Sequence, residues 1–180
     1  MTSTYKRHIG RYIKAKDQNK PHLMGSVFTQ NATLSMKVNS DNIAFPSATA
    51  GLNEITEVLI RGFNQSYENI YTLCLNDTWL QRDCEVSCRW LVAMTEKSSG
   101  LVRVGFGEYQ WVFAKEGLNL VSQLTIVIED MQLFPAQQQP EIMGCFENLS
   151  YPWAATADVL ESMSEIAVLG EVCSKIQRKA

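Results

Sequence analysis

Residues 67–133 contain four long segments of strand-forming residues joined by short turns, and this feature limits the possible folds of the chain more than any other. No helical periodicity interrupts them. The predicted strands cover residues 68–78, 84–97, 100–115 and 118–133. Because turns as short as KSSG and KEG join neighbouring antiparallel strands, the segment predicts a four-stranded antiparallel meander.

The third of these strands carries two glycines within an aromatic run, GFGEYQWVF. Alternation along the strand places Gly105 and Gly107 on the same face as Tyr109 and Trp111, and Glu108 on the opposite face. Glycines inside a strand often mark a bulge or a bend. We therefore predict a sheet that curls toward its glycine-bearing face, with Glu108 on the outer surface.

Helical and short strand patterns flank the meander. Ser3 is positioned to cap a first helix, and Pro21 is typical of the first turn of a second. The elements before the meander are predicted as helices at residues 3–17, 21–30 and 51–66 and strands at residues 32–38 and 43–45. After it we expect a linker over 134–140 and one helix over 153–177. Together these elements predict an α+β fold with a C-terminal helical extension.

Two stretches, in this order of elements, resemble the nuclear-transport-factor-2-like superfamily, also called SnoaL-like or cystatin-like. They are LMGSVFTQNATLSMKV with its continuation FPSATAGLNEITEVLIRGF, and GEYQWVFAKEGLNLVSQLTI. The resemblance covers residues 3–133. It implies a cone in which a curved antiparallel sheet wraps around about three N-terminal helices and encloses an apolar pocket. We therefore assign residues 1–135 to such a domain, and residues 136–180 to a linker and a helix packed on that domain or on a dimer partner.

The resemblance also bears on catalysis. Ketosteroid isomerase, a member of this superfamily, uses as general base an Asp just before the Pro that precedes the third helix. That Pro is similar in position to Pro46, so Phe45 occupies the base position and cannot transfer a proton. The strand position of that enzyme's protonated Asp falls at Tyr109, whose hydroxyl can donate a hydrogen bond to a developing oxyanion.

Histidine offers a second route to acid–base chemistry, because its unperturbed pKa lies near neutrality. The chain has two, His8 and His22. His8 lies on a basic amphipathic helix and is expected to be exposed. His22 opens the second helix, which contributes to the pocket wall in the resembling family, so it is the candidate general base. No carboxylate partner for it is evident in the sequence.

An aromatic-rich interior is the remaining functional signal. Side chains with apolar bodies and a few polar tips suit a small apolar ligand. The predicted ligand-binding residues are Phe45, Tyr71, Trp90, Tyr109 and Trp111. The alternative, that the same side chains simply fill the core, stays open at this point.

Metal and cofactor sites are not predicted. The chain has five cysteines, and the pair Cys84 and Cys88 lacks the second Cys/His pair that zinc sites require. The GFG at residues 105–107 has no third glycine at the required spacing and opens no helix, so it does not form a dinucleotide loop. We expect no cofactor.

Charge and hydropathy limit the partners. Residues 1–20 hold six basic side chains and one acidic one, but the whole chain has a net charge of −3 and a pI near 5.4. This balance argues against a nucleic-acid-binding domain. No apolar run reaches the ~18 residues of a membrane span, and the N-terminus lacks an apolar signal region, so we expect a cytoplasmic protein that binds neither nucleic acid nor membrane.

Three functions follow as hypotheses. The first is binding of a small apolar ligand in an internal pocket. The second is a SnoaL-like enzyme of the cyclase, dehydratase or isomerase type, which would depend on His22. The third is a dimeric interaction module. On family grounds we expect a homodimer through the outer sheet face, which carries the apolar residues Leu91, Ala93, Val112 and Val127.

Overall fold

The computed structural model describes residues 3–179, so the ends of the predicted domain ranges, residues 1, 2 and 180, lie outside it. The helices are α1 (Thr4–Asp17), α2 (Leu52–Thr56), α3 (Phe63–Ser66), α4 (Gln139–Glu147), α5 (Thr156–Ser164) and α6 (Gly170–Arg178). The strands are β1 (Phe28–Val38), β2 (Ala48–Ala50), β3 (Tyr67–Leu75), β4 (Leu80–Arg82), β5 (Glu85–Glu96), β6 (Val102–Phe113), β7 (Val121–Phe134) and β8 (Trp153–Ala154). No helix of residues 3–179 is long and apolar enough to cross a bilayer.

One curved, unclosed sheet of eight strands organises the chain. Its order is β2-β1-β7-β6-β5-β3-β8, and β4 pairs with β5 at the side. The predicted meander is confirmed, because β3, β5, β6 and β7 pair in sequence order and antiparallel. At the two ends β1 joins β7 in parallel and β8 joins β3 in parallel, so the sheet is mixed at its edges. The predicted α+β cone is the architecture observed.

The bend at the glycines is present where the sequence predicts one. The register between β6 and β7 shifts between Phe106 and Gly107. Tyr109, Trp111 and Phe113 face the helices on the inner side. Glu108 lies on the outer face, where it accepts a 2.6 Å hydrogen bond from the side chain of Gln110.

Helix α1 lies against the inner face of the sheet. Ser3 caps it, because its hydroxyl oxygen accepts from the Lys6 backbone N–H at 3.2 Å. Ile9, Tyr12 and Ile13 are fully buried at helical spacing. Their burial anchors the helix to the core, since each large apolar side chain removed from water contributes roughly 1.5–3 kcal/mol.

Two predicted elements differ from the structure between residues 20 and 50. The helix predicted over 21–30 is a short 3₁₀ helix at Pro21–Ser26, and the chain is already extended at Phe28. The strand predicted over 43–45 is wrong. The returning strand is β2, whose backbone pairs with Thr33, Leu34 and Ser35 of β1.

The third predicted helix is observed, with a wider turn at its centre. The α-helical segments α2 and α3 are joined by a π-helical segment at Glu57–Gly62. Such segments are rare and occur frequently at functional sites. Here the whole helical region presents Leu59 and Phe63 to the interior.

The C-terminal region forms three short helices and a strand, so the single helix predicted over 153–177 is wrong. The linker predicted over 134–140 is also wrong for most of its length, because it contains the end of β7, a 3₁₀ turn at Ala136–Gln138 and the first two residues of α4. These helices cover part of the outer sheet face and form a second apolar cluster with Leu73, Leu91 and Phe106.

The second cluster also bears on the expected dimer face. Leu91 and Ala93 are fully buried beneath the chain's own C-terminal region. Val112 and Val127 remain partly exposed on the same sheet. Only the uncovered part of this face is therefore accessible to a partner chain, and the homodimer stays a prediction.

Candidate functional site

The site lies between α1, the central helical region and the concave face of the sheet. A cavity of about 50 Å³ is present there. A cavity needs roughly 10–15 Å³, measured in the same way, to hold one water molecule, so this one has room for about three to five. Its lining residues are Tyr12, Lys16, Met36, Ile43, Phe45, Leu59, Phe63, Thr72, Trp90, Val92, Met94, Tyr109, Ile126, Ile128 and Met131.

Three of the five predicted ligand-binding residues line this cavity: Phe45, Trp90 and Tyr109. The Trp90 and Tyr109 rings are in contact, with centroids 5.6 Å apart. Gly107 makes room for this pair, because a β-carbon at that position would lie 2.9 Å from the ring atom Cζ2 of Trp90. The glycines of β6 therefore shape the cavity wall as well as the sheet.

The other two aromatic residues lie elsewhere. Trp111 is buried next to the cavity, with its ring 5.3 Å from that of Tyr12, but it is not part of the lining. Tyr71 lies on the opposite face of β3 and packs against the C-terminal cluster. The predicted role of Tyr71 in ligand binding does not fit this position. Both faces of β3 are buried, so its sequence pattern does not distinguish the inner face from the outer one.

The two histidines lie outside the cavity lining. His22 lies in the 3₁₀ helix and its side chain is exposed. His8 has its Nε2 atom 3.1 Å from the carbonyl oxygen of Leu118 and its ring 6.3 Å from that of Phe113. The position of His22 does not fit the role of general base inside the cavity.

A buried ion pair forms the polar side of the cavity. The Lys16 Nζ atom donates to Asp17 Oδ1 at 2.7 Å and to Thr72 Oγ1 at 2.6 Å. The side chains of Lys16 and Asp17 are only 8% and 2% exposed. Lys16 also lies over the Phe63 ring, 4.9 Å from its centroid. Of this pair, Lys16 lines the cavity, so the chamber contains one positive charge at its wall.

The Asp17 carboxylate has a full set of donors. Besides Lys16, it accepts from the Thr72 hydroxyl at 2.9 Å and the Thr72 backbone N–H at 2.8 Å. The Tyr151 hydroxyl donates to its Oδ2 atom at 3.0 Å. Both oxygens of the carboxylate are therefore occupied by donors. Asp17 therefore holds Lys16 in place and has no free position to act as a base.

Of the further donors in the lining, the Trp90 indole Nε1 has no hydrogen-bond partner within residues 3–179, and the Tyr12 hydroxyl has only the Tyr109 hydroxyl beside it, outside good hydrogen-bond geometry. Burial is the main reason that the pKa of Tyr12 is raised above its usual value, and the pKa of Tyr109 is raised for the same main reason. Both hydroxyls therefore stay protonated at neutral pH. Together with Lys16 they give the cavity several donors.

Aromatic residues separate the cavity from the surface. The half-buried Phe45 stacks on Phe63, with centroids 6.3 Å apart, and Phe63 contacts Tyr67 at 5.0 Å. Phe45 and Phe63 also line a second pocket of about 230 Å³ on their outer side, together with Pro46 and Tyr67. The two aromatic side chains form the wall that the inner and outer spaces share.

Sequence reasoning missed Tyr12, Lys16 and Thr72. The signal for Lys16 is its spacing, since it falls three and seven residues after Ile13 and Ile9 on the apolar stripe of α1. A lysine in such a stripe indicates a buried, paired cation. Within the described residues, no group of His, Cys, Asp and Glu side chains is arranged to hold a metal ion.

Comparison with known proteins finds likeness at the level of structure. No protein-family model matches the sequence, and no curated protein matches it. An NTF2-like protein from Burkholderia xenovorans is similar with a TM-score of 0.55 and 10% identity, over 71% of this chain and 91% of the other. A putative scytalone dehydratase from Novosphingobium aromaticivorans gives 0.53 and 14%, over 71% and 83%. A computationally designed 17-OHP binder gives 0.57 and 9%, over 74% and 100%.

Proposed function

We propose that this chain, which has the nuclear-transport-factor-2-like fold, binds a small, mostly apolar ligand that carries a carboxylate or carbonyl group. The observation that carries the proposal is the polarity of the cavity. Its polar groups are the Lys16 ammonium and the Trp90 indole N–H, which only donate, and three hydroxyls, and the Trp90 N–H has no partner among residues 3–179. A ligand with an acceptor atom complements such a site.

The energetics favour an occupied site. A buried donor without a partner costs roughly 1–3 kcal/mol, and an acceptor placed in the cavity recovers this energy. The charge of the Lys16 ammonium is balanced by Asp17, but only two of its three N–H donors are used, on Asp17 and Thr72, so the third can be donated to an acidic group of the ligand. The apolar remainder of the ligand contacts Met36, Leu59, Ile126 and similar side chains of the lining.

Size limits the ligand. The inner cavity of about 50 Å³ is small compared with typical ligand pockets of roughly 300–1,000 Å³. Ligands with a short alkyl chain or a single ring therefore suit it, and larger ones require Phe45 to turn toward the outer pocket. The designed 17-OHP binder is an example of a small-molecule binder with a similar structure.

Proton-transfer chemistry has less support. Among the described residues, the cavity lining contains neither a carboxylate nor an imidazole. Phe45 stands at the position where the resemblance places a general base, and the oxygens of Asp17 already accept four hydrogen bonds. A donor-lined chamber can hold an acceptor group, but the abstraction of a proton requires a base.

The test is titration of ¹⁵N-labelled protein with butyrate, hexanoate and benzoate, and with butylamine and hexylamine as matched cationic controls. The Trp90 indole N–H signal, assigned with a Trp90→Phe variant, is expected to shift with the acids and to stay unchanged with the amines. The Trp79 indole lies outside the lining and serves as the internal control. An unmoved Trp90 signal in every acid titration, or equal shifts with the amines, would contradict the proposal.

A further inference from the structure

The C-terminal region reaches the polar side of the cavity through one residue. The Tyr151 hydroxyl donates a 3.0 Å hydrogen bond to Oδ2 of Asp17, 134 positions earlier in the chain. Asp17 uses its other oxygen, Oδ1, to accept from the Lys16 ammonium at 2.7 Å. A chain of two hydrogen bonds therefore connects a residue outside the nuclear-transport-factor-2-like region with the cation in the cavity wall.

The two residues that follow Tyr151, Pro152 and Trp153, fix this segment to the body of the protein. The Pro152 carbonyl accepts from the Cys74 backbone N–H at 2.6 Å, and Trp153 pairs with Cys74 in β8. The Lys6 ammonium lies 5.0 Å from the Trp153 ring centroid. These contacts hold the backbone beside Tyr151 against β3 and α1, and its hydroxyl reaches Asp17 at the C-terminal end of α1.

The Tyr151 hydroxyl is one of four hydrogen-bond donors that orient Asp17, and Tyr151 as a whole is 39% exposed. Burial is the main cause of a raised pKa for Tyr151, so its hydroxyl is protonated and donates at neutral pH. Without it, Oδ2 would keep only the Thr72 backbone N–H as donor. Thr72 and Lys16 would still hold both oxygens, but less tightly, and any shift of the carboxylate would carry the Lys16 ammonium with it.

We propose that Tyr151 is a positioning residue, which orients the Lys16 ammonium toward the cavity through Asp17 and thereby makes the C-terminal region part of the anion-binding site. The inference rests on the proposed function only for its effect on ligand affinity. The effect on Lys16 itself exists in the empty protein. The two parts can therefore be tested separately.

The first test uses no ligand. NMR of the ¹⁵N-labelled lysine ammonium groups compares the wild-type protein with Tyr151→Phe, and a Lys16→Met variant identifies the Lys16 signal. A buried ammonium with two hydrogen bonds exchanges its protons slowly, so Lys16 is expected to give a distinct signal in the wild type. In Tyr151→Phe the signal should shift and its proton exchange should become about three- to tenfold faster, as expected for loss of one hydrogen bond with a net value of about 1 kcal/mol.

Tyr71→Phe is the matched control, because Tyr71 also packs against the C-terminal cluster but has no contact with the ion pair in the described structure. An unchanged Lys16 signal in Tyr151→Phe, or an equal change in Tyr71→Phe, would overturn the inference. Urea unfolding of both variants checks that each is folded. A loss of stability alone, without a change at Lys16, would mean that Tyr151 has only a structural role and would also overturn it.

The second test measures acid binding. If an acid such as hexanoate binds the wild type, Tyr151→Phe should raise the Kd of the acid by about three- to tenfold. The Kd of a neutral ketone of equal length should stay nearly unchanged. Equal weakening for acid and ketone would contradict the positioning role. No acid binding to the wild type, combined with the expected change at Lys16, would refute the proposed function and leave the positioning of Lys16 supported.

Discussion

The carbonyl oxygen of Val127 lies against Gly107, in space that a side chain at this position would need. A β-carbon built on Gly107 would be 1.8 Å from that oxygen and 2.9 Å from Cζ2 of Trp90. The close approach occurs where the register between β6 and β7 shifts. The bend of the sheet and the position of Trp90 in the cavity wall therefore depend on the same missing side chain.

The first prediction concerns this contact. Gly107→Ala should destabilise the protein by about 3 kcal/mol or more, because overpacking of a core costs typically 1–3 kcal/mol and here the nearest atoms belong to the backbone. The measurement is the urea midpoint at constant m-value, together with the Trp90 indole signal.

Gly144→Ala is the control. Gly144 lies inside α4, where a β-carbon would have no neighbour within 4 Å, so alanine should stabilise by up to about 1 kcal/mol. Equal stabilities of the two variants would contradict the account of the bend.

The sheet is predictable from sequence because its signals are local. Alternation along β5, β6 and β7 and the short turns between them predict the antiparallel pairing, and the glycines at 105 and 107 predict the bend. The same alternation correctly places Trp90 and Tyr109 together on the inner face. A period of two determines which residues share a face.

The parts that are not predictable depend on contacts distant in sequence. The Lys16–Asp17 pair requires Thr72 and Tyr151, and no local pattern connects these residues with α1. The pattern of β3 does not separate Tyr71 from the cavity, because Leu73 and Leu75 on its own side are as buried as the inner residues. That burial comes from the C-terminal helices, whose packing on the sheet the sequence does not indicate.

The second prediction concerns the buried ion pair. Lys16→Met should destabilise the protein by about 3 kcal/mol at pH 7, because it leaves the Asp17 charge, in a side chain only 2% exposed, without its cation. The double variant Lys16→Met with Asp17→Asn should regain about 1–3 kcal/mol of this loss, since the pair is coupled. The measurement is a double-mutant cycle of urea unfolding. Strictly additive effects would show that the two charges do not stabilise each other.

The third prediction concerns pH. Asp77 Oδ1 accepts from the backbone N–H and the hydroxyl of Thr156, at 2.8 and 2.9 Å, and so caps α5. Burial alone would raise the pKa of Asp77, but the hydrogen bonds from Thr156 outweigh it and lower the pKa. A lowered pKa in the folded state means that the stabilisation is complete above the unfolded value near 4 and is lost as the pH falls through the lower, folded value.

Asp77→Asn measures this contribution. At pH 7 the variant should be less stable by about 0.5–1 kcal/mol, at the low end for a capping residue because Asp77 is exposed to solvent. The difference from the wild type should shrink as the pH is lowered below about 4, where the wild-type carboxylate also becomes neutral. The readout is the urea midpoint of both proteins between pH 3 and pH 7. A difference that is the same at every pH would contradict a role of the charge.

The fourth prediction compares two neighbouring residues of the C-terminal region. Leu169 is fully buried in the outer-face cluster, whereas Val168 is 38% exposed. Leu169→Ala should cost about 2–5 kcal/mol, because it leaves a cavity between the C-terminal helices. Val168→Ala should change the stability by less than about 0.5 kcal/mol.

The measurement is urea unfolding followed both by circular dichroism and by tryptophan fluorescence. If the C-terminal helices and the sheet form one cooperative unit, both signals of Leu169→Ala should show a single transition at a lower urea concentration than in the wild type. A separate early transition in one of the two signals would instead mean that the C-terminal helices unfold independently of the cavity-bearing part of the chain.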